Sequence, residues 1–144
     1  LPSAAEWEWA ARAGSDAPTL WGNPTNDFSK VANLADKNLR DIPTLGWGLP
    51  SGAIPPYRPA AANMNDGFRV SAPVGAFQPN AWGLCDAQGN VWEWTSETDA
   101  EGRAAARGSS WHSRPEKAQF NARVFYPPWQ PVYDVGFRVI LDQP

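Results

Sequence analysis

Prolines and glycines interrupt this chain too often for long regular elements to form. The 144 residues include fifteen prolines and twelve glycines, and both residue types break helices and strands. Nine tryptophans and six phenylalanines supply apolar area for a core, at roughly 150–250 Å² for each buried aromatic side chain. This combination argues against a helical bundle and predicts one irregular, loop-rich domain with short strands.

The charge and hydropathy of the chain argue against two classes of partner. The formal net charge is −3, the sequence pI is about 5.0, and lysine and arginine form no block. Binding to the phosphate backbone of a nucleic acid is therefore not expected. No apolar run approaches the roughly 20 residues that cross a bilayer, so we expect no membrane span.

The first residues carry the signals of a helix. Ser3 and Glu6 have the spacing of a capping box, which predicts a helix over residues 4–13 with Gly14 as its stop. The helical period gives that helix one buried face and a solvated position. We expect the inward residues to be Trp7, Ala10 and Ala11, and the solvated one to be Arg12.

The rest of the chain divides into loops followed by strands. Residues 15–80 show no sustained hydrophobic period, and they are too aromatic for disorder, so we predict long ordered loops with short turns. Residues 90–95 alternate between apolar and polar types, which predicts a strand. Three further strand candidates follow, at 103–111, 119–125 and 135–141.

The segment 83–96, GLCDAQGNVWEWTS, combines turn residues and carboxylates with large apolar side chains. Asp86 and Glu93 can each offer a carboxylate, and the turn between them can offer carbonyl oxygens. Hard oxygen ligands of this kind suit Ca²⁺. The alternative interpretation is an Asx-type turn followed by a buried strand, without a metal.

Four blocks of sequence resemble the formylglycine-generating enzyme (sulfatase-modifying factor) family, which has a variant of the C-type lectin-like fold. They are LPSAAEWEWAARAG at the start, GNVWEWTS, RGSSW at 107–111 and GFRVI at 136–140. The resemblance implies an irregular, loop-rich α+β fold with short antiparallel strands and few helices. In the family the first block lies in the middle of the domain. We therefore expect residues 1–144 to be the C-terminal portion of a single domain.

The resemblance also bears on catalysis. The family's active oxidases use two closely spaced cysteines to bind copper, a soft metal that selects thiolates, and to engage a cysteine of the sulfatase. This chain has one cysteine, Cys85, which is expected to behave as a small apolar residue. The family's R-C-A-A-R segment matches residues 119–123, which puts Phe120 at the second cysteine position, and residues 113–118 hold no thiol. We expect no copper and no formylglycine generation by this chain alone.

Two structural Ca²⁺ sites are implied by the resemblance. The first would use the Asn33 side chain, the Leu34 carbonyl, the Asp66 carboxylate and the Phe68 carbonyl. The second would use Asp86, the carbonyls of Gly89 and Val91, and Glu93. Turns without any metal remain the alternative at both places. Because Ca²⁺ at extracellular levels fills sites of modest affinity, we expect a periplasmic or extracellular location.

The segment 112–134 is the predicted ligand-binding surface. It is rich in residue types that dominate binding energy, and the resemblance places it at the groove or binding face of the fold. The candidates are His112, Arg114, Tyr126, Trp129, Tyr133 and Asp134. The alternative is that Trp129 and Tyr133 cover the core or contact the remainder of the domain.

These observations favour a non-catalytic, calcium-stabilised binding or accessory module within a larger protein or complex. Its expected partner is a polypeptide carrying the N-terminal half of the domain, and its ligand a peptide, small molecule or glycan. One alternative is the substrate-groove half of an enzyme resembling the iron-dependent sulfoxide synthases, or of another oxidative enzyme, with metal ligands on a separate N-terminal segment. Its basis is the RVFYPP run at 123–128. Another alternative is a lectin-like domain that displays a ligand-binding surface.

Overall fold

The N-terminal helix has the capping that its sequence predicts. The structure, a computed structural model, describes residues 1–40, 61 and 63–141. Helix α1 spans Ala4–Arg12. The Glu6 main-chain N–H donates to Ser3 Oγ at 3.2 Å, and the Ser3 N–H donates to Glu6 Oε2 at 2.8 Å. Both halves of the capping box are therefore present, and the helix ends at Ala13, which has a left-handed φ of 48°.

One face of α1 packs into the core. Trp7 and Ala11 are buried as predicted, and Ala10 is half-buried. The prediction that Arg12 stays in solvent is wrong. Its guanidinium lies 4.9 Å from the ring centroid of Phe120 and forms an ion pair with Glu8 at 2.8 Å. A long arginine stem can cover apolar surface while its charge finds a partner, which explains the half-buried position.

A four-stranded sheet follows in the C-terminal third of the chain. Its strands are β1 (Trp92–Thr98), β2 (Ala104–Arg107), β3 (Arg123–Tyr126) and β4 (Val135–Phe137). Their order is β3-β2-β1-β4. The β1–β2 and β2–β3 pairs are antiparallel, whereas β1 and β4 are parallel. The predicted α+β class is confirmed, but the sheet is mixed because the long excursion through β2 and β3 returns the chain parallel to β1.

The strands are shorter or shifted relative to the sequence prediction. β1 begins two residues late because Gly89 and Asn90 adopt left-handed φ angles of 79° and 64°. β2 ends at Arg107 for the same reason, since Gly108 and Ser109 have φ angles of 94° and 70°. Strand geometry is confined to negative φ, so each pair of left-handed residues terminates a strand.

The predicted loop region, 15–80, is irregular where the structure describes it, apart from one short helix. Helix α2 spans Lys37–Arg40 and was not predicted. Asp36 precedes it and accepts the Asn38 N–H at 2.6 Å, as a residue at a helix start does. The part of this prediction that falls on residues 41–60 and 62 lies outside the described residues. A short 3-10 helix, Pro115–Lys117, also occurs. No helix in the described part is long and apolar enough to cross a membrane.

The core consists of two main aromatic clusters beside the sheet. One contains Trp21, Phe28, Ala32, Leu34, Met64 and Ala118. The other joins α1 to the sheet region through Trp7, Ala11, Ala87 and Phe120. The core therefore draws most of its members from loops, which holds those loops in fixed positions relative to the sheet.

Candidate functional site

The segment 83–93 forms one wall of a cleft whose other wall is residues 136–138. The cavity has a volume of about 600 Å³. Asp86 has a left-handed backbone conformation, with φ 55°. Its Oδ2 accepts the Gly75 N–H at 2.7 Å. Its Oδ1 is buried and has no hydrogen-bond partner among the described residues. A buried, unpaired carboxylate oxygen is costly, so this atom is suited to a cation or a donor that enters the cleft.

Glu93, the second carboxylate of this segment, is already paired. Arg138 donates through Nε to Oε2 and through Nη2 to Oε1, each at 2.5 Å. The Trp7 indole N–H also donates to Oε2, at 2.6 Å. Burial alone would lower the pKa of Arg138, but its hydrogen bonds and attraction to Glu93 outweigh burial and raise that pKa. The sequence analysis missed this partner, whose only signal was the arginine of the GFR motif.

The residues of the first predicted calcium site lie together. The Leu34 N–H donates to Asp66 Oδ2 at 3.0 Å, and the Phe68 N–H donates to Asp66 Oδ1 at 2.9 Å. Asn33, next to Leu34, is buried and donates its amide to the Val70 carbonyl at 2.9 Å. The loop at 33–34 and the turn at 66–68 therefore meet around the Asp66 carboxylate.

A second buried carboxylate lies beside Asp66. The Asp66 N–H donates to Asp36 Oδ2 at 2.7 Å, and both side chains are buried. Burial raises the pKa of Asp66 to about 6, and the charge of Asp36 adds to the effect. No ion pair within the described ranges neutralises either group. Two buried acids without a cation form an unfavourable arrangement that a bound cation would relieve.

Gly89 and Asn33 hold the two predicted calcium sites in contact. The Asn90 N–H donates to the Asn33 carbonyl at 2.8 Å. A Cβ atom added to Gly89, whose φ is 79°, would lie only 2.4 Å from that carbonyl oxygen. Only glycine fits this close approach. The loop that carries Asn33 and the turn that carries Gly89 are therefore in direct backbone contact.

The oxygen atoms available as metal ligands favour a hard cation over a soft one. The part of the chain that the structure describes has no cluster of three or more His, Cys, Asp or Glu side chains able to hold a metal. Any ion would depend on carbonyl and amide oxygens together with one or two carboxylates. Such mixed oxygen sets are typical of Ca²⁺ and unlike the thiolate sites of copper. The first predicted set fits this chemistry, whereas the second has a single unpaired carboxylate oxygen because Arg138 pairs with Glu93.

Three of the predicted ligand-binding residues, His112, Tyr133 and Asp134, lie together. His112 Nδ1 lies 3.4 Å from Oδ2 of the buried Asp134. The Tyr133 ring stacks on the imidazole, with centroids 5.9 Å apart and planes at 27°. Burial raises the pKa of Tyr126, and the charge of Asp134 adds to the effect; its ring contacts Trp94, with centroids 5.9 Å apart. Trp111, which was not predicted, extends the group, with its ring 5.1 Å from His112.

The remaining predicted ligand residues lie apart from this group. Trp129 is 81% exposed, and Arg114 is also exposed. Nothing in the described residues joins either side chain to His112 by a hydrogen bond, an ion pair or a ring contact. Tyr133 is 79% exposed, so neither it nor Trp129 covers the described core.

A serine nucleophile is not formed at this surface. Ser110 Oγ lies 3.0 Å from His112 Nδ1, but Ser110 is fully buried. Asp134 approaches the same ring nitrogen, whereas a catalytic relay needs the serine and the acid on opposite nitrogens. The arrangement positions the imidazole and does not activate the hydroxyl.

Phe120, which the resemblance is expected to place at the second cysteine position, belongs to the core. Its side chain is fully buried and packs with Trp7, Ala11 and Ala87. Its N–H donates to the Pro18 carbonyl at 3.0 Å. The position is thus occupied by a large apolar side chain and is closed to solvent.

The few short helices, mixed sheet and ordered loops define an irregular α+β domain, and solved structures share it. PvdO from Pseudomonas aeruginosa superposes with a TM-score of 0.67 at 24% identity, over 95% of this chain and 50% of that one. Treponema denticola variable protein 1 gives a TM-score of 0.60 at 24% identity, over 95% and 45%. At such identities the likeness shows the fold alone.

Residues 1–143 match the family described as Sulfatase-modifying factor enzyme 1-like domain, and the chain belongs to this family. Formylglycine-generating enzyme of Mycobacterium tuberculosis is 40% identical over 96 residues, which cover 67% of this chain and 26% of that protein. Inactive C-alpha-formylglycine-generating enzyme 2 of Mus musculus is 32% identical over 148 residues, covering 96% and 41%. The chain thus spans less than half the length of these curated relatives. The family resemblance predicted from the sequence is confirmed.

Proposed function

We propose that this chain is a non-catalytic, calcium-stabilised binding or accessory module that works within a larger protein or complex. The observation that carries the proposal is that the 144 residues contain a single cysteine; Phe120, which the resemblance puts at the second cysteine position, is a fully buried core residue. The chain's single cysteine, Cys85, cannot supply the thiolate pair that holds Cu(I). A relative whose name describes it as inactive is similar to this chain over 96% of its length, which supports the same interpretation.

The calcium part of the proposal is supported by unneutralised carboxylates. Asp66 and Asp36 are buried side by side, and the Asn33 side chain and the Leu34 and Phe68 carbonyls are the additional oxygens proposed for the ion. In the second site the unpaired Asp86 Oδ1 and the Gly89 and Val91 carbonyls would contribute, with Glu93 held by Arg138. Bound Ca²⁺ would offset the repulsion between the acids and stabilise the folded loops by linkage. A location outside the cytosol follows as part of this proposal.

The binding part of the proposal assigns ligand contact to the surface around Trp111, His112 and Tyr133, with the buried Asp134 behind the imidazole. Tyr126 and the separate, exposed Trp129 are the further candidates of the same segment. The buried Asp134 and the stacked Tyr133 hold the imidazole in place. Aromatic side chains that are fixed before binding lose little entropy when a ligand arrives. The exposure of Trp129 and Tyr133 favours the lectin-like display of a peptide or glycan site as the second candidate function.

Native mass spectrometry of the purified natural protein, with and without EDTA, tests the proposal. We expect one or two calcium ions that EDTA removes, and no retained copper after incubation with Cu(I) and a competing chelator. Asp66→Asn should lose one calcium ion, whereas Asp27→Asn, a change at an exposed aspartate, should lose none. Retention of copper together with the absence of bound calcium would overturn the proposal.

A further inference from the structure

His112 is the single histidine of the 144 residues, and its two ring nitrogens have different surroundings. Nδ1 lies 3.0 Å from Ser110 Oγ and 3.4 Å from Asp134 Oδ2, and both of these partners are buried. The His112 side chain is 40% exposed, so the exposed part of the ring is the opposite edge, which carries Nε2. Within the described part of the chain, Nε2 has no hydrogen-bond partner.

The Asp134 carboxylate determines which nitrogen of His112 carries the proton. This carboxylate is buried, and among the described residues His112 is the one charged partner within ion-pair distance of it. A buried carboxylate at this distance repels a ring lone pair and attracts an N–H. The hydrogen bond made by one imidazole nitrogen fixes the role of the other. The Nδ1–H tautomer therefore follows, and Nε2 keeps its lone pair as an acceptor.

The backbone on both sides of this pair is anchored to the start of β1. The Trp111 N–H donates to the Asn90 carbonyl at 2.9 Å, and the Trp92 N–H donates to the Asp134 carbonyl at 2.9 Å. The segment that carries His112 and the segment that carries Asp134 are thus held by neighbouring residues. The direction of the Nε2 lone pair is therefore set before a ligand arrives, which lowers the entropic cost of binding.

Aromatic rings flank the imidazole. The Tyr133 ring stacks on it, with planes at 27°, and is 79% exposed. The Trp111 ring is inclined at 61° to the imidazole and at 54° to the Tyr133 ring. The faces of aromatic rings carry negative potential and attract positively polarised C–H groups. A flat ligand ring can therefore pack on these faces while one of its donors reaches Nε2.

We infer that this surface binds a neutral sugar, whose hydroxyl donates to His112 Nε2 and whose C–H face packs on the aromatic rings. A hydroxyl supplies the donor that the Nε2 lone pair requires. An ionised acidic sugar is disfavoured, because its carboxylate offers no proton and the buried Asp134 charge repels it. Asp134 is a positioning residue, since it contacts the imidazole and not the ligand. The inference rests on the binding part of the proposed function, to which it adds the ligand class and the selecting atom.

Long-range ¹H–¹⁵N spectra of the natural protein test the tautomer without any ligand. Protonated and unprotonated imidazole nitrogens have well-separated ¹⁵N shifts, and the His112→Gln spectrum identifies the His112 signals. At pH 7.5 we expect a protonated Nδ1 and an unprotonated Nε2. Asp134→Asn should increase the population of the Nε2–H tautomer, whereas Asp27→Asn, a change at an exposed aspartate, should not. A protonated Nε2 in the unaltered protein would overturn the inference.

An array of neutral and acidic glycans tests the ligand class with a matched pair of variants. We expect the natural protein to bind neutral glycans. His112→Asn, whose amide reaches only the Nδ1 position, should weaken this binding at least about tenfold, the effect of losing one hydrogen bond to the ligand. His112→Gln, whose amide reaches the Nε2 position, should retain it within about threefold. A purely structural role of His112 would weaken both variants equally.

Three array results would overturn the inference: equal binding by the two His112 variants, a preference for acidic glycans, or no glycan bound. These results are distinguishable from failure of the proposed function. If a peptide binds to the 112–134 surface and no glycan does, the binding part of the proposed function stands and the sugar assignment fails. Calcium and copper enter neither the spectra nor the comparison of the two variants.

Discussion

The indole N–H of Trp7 donates to the Glu93 carboxylate at 2.6 Å and so joins α1 to β1 across 86 positions of sequence. The same carboxylate receives both hydrogen bonds from Arg138, beyond β4. One buried acid therefore connects the first helix, the central strand and the last described segment. Because these elements are distant in sequence, we expect this connection to stabilise the tertiary structure and not any single element.

Glu93→Ala should destabilise the protein by about 3–5 kcal/mol, since it leaves the largely buried Arg138 without its counter-charge. Glu97→Ala is the matched control. It breaks the more exposed pair with Arg123 and should cost at most about 1 kcal/mol. Urea unfolding in EDTA measures both free energies without a calcium contribution. Similar losses in the two variants would show that the Glu93 network contributes no more than a surface pair.

Gly89→Ala should lower the free energy of unfolding more than Gly102→Ala, because Gly102 has a similar backbone conformation but free space around it. Both Gly89 and Gly102 have left-handed φ angles, of 79° and 74°, but only Gly89 faces another backbone, the Asn33 carbonyl. Left-handed strain costs about 1–2 kcal/mol at either site, and the collision should add about 1–3 kcal/mol at Gly89. Thermal and urea unfolding of the two variants give the difference. Equal effects would refute the close approach.

Calcium should stabilise the protein more at pH 7.5 than at pH 5. The pKa of Asp66 in the metal-free protein is raised to about 6 from an ordinary value of 3.8, first by burial and then by Asp36. In the metal-free protein the raised pKa of Asp66 adds to the free energy of unfolding. This contribution is complete below pH 3.8, where the carboxyl is protonated in both states, and is lost as the pH rises through about 6. Calcium needs the ionised form, so protons compete with it below that pKa.

Calcium at about one hundred times its dissociation constant should raise the melting temperature by about 5–10 °C at pH 7.5, and by clearly less at pH 5. Differential scanning calorimetry with calcium and with EDTA measures both shifts. Asp66→Asn should remove the pH dependence of the calcium effect, while Asp27→Asn should keep it. A calcium effect that is independent of pH would contradict the role of Asp66.

Trp129→Ala should leave stability unchanged within about 0.5 kcal/mol, because the side chain is exposed. If the 112–134 surface binds ligand, the same change should weaken binding about thirtyfold, the effect of losing a hot spot worth about 2 kcal/mol. A glycan array and a tiled peptide library are suitable probes. Trp82→Ala, at an exposed tryptophan outside this surface, is the control, and equal binding by both variants would exclude Trp129 from the site.

Sequence signals within a few residues predicted the helix and the approximate positions of the strands, because these elements depend on local residue types. The capping box at Ser3 and Glu6 predicted α1 nearly to the residue, and each of the four predicted strand segments overlaps an observed strand. Strand ends were less accurate, because the left-handed turns at 89–90 and 108–109 follow from contacts with distant backbone as well as from residue type. The parallel pairing of β1 with β4 has no local signature at all.

The candidate sites divide in the same way. A contact between residues near in sequence, such as Ser110 and His112, follows from their short spacing. The Glu93–Arg138 pair and the Asp36–Asp66 pair depend on long-range folding, and the sequence analysis named neither. Arg138 changes the chemistry of the second predicted calcium site, because it neutralises a carboxylate that had been counted as a free ligand.

The most direct test of the central claim is an assay for formylglycine. The natural protein is incubated with copper, oxygen and a Cys-x-Pro-x-Arg peptide, beside the Mycobacterium tuberculosis formylglycine-generating enzyme as the positive control, and the peptide is examined by mass spectrometry. We predict no conversion by this protein, since Cys85 is the single cysteine of these 144 residues and has no paired thiol. Copper-dependent conversion above the protein-free background would contradict the account.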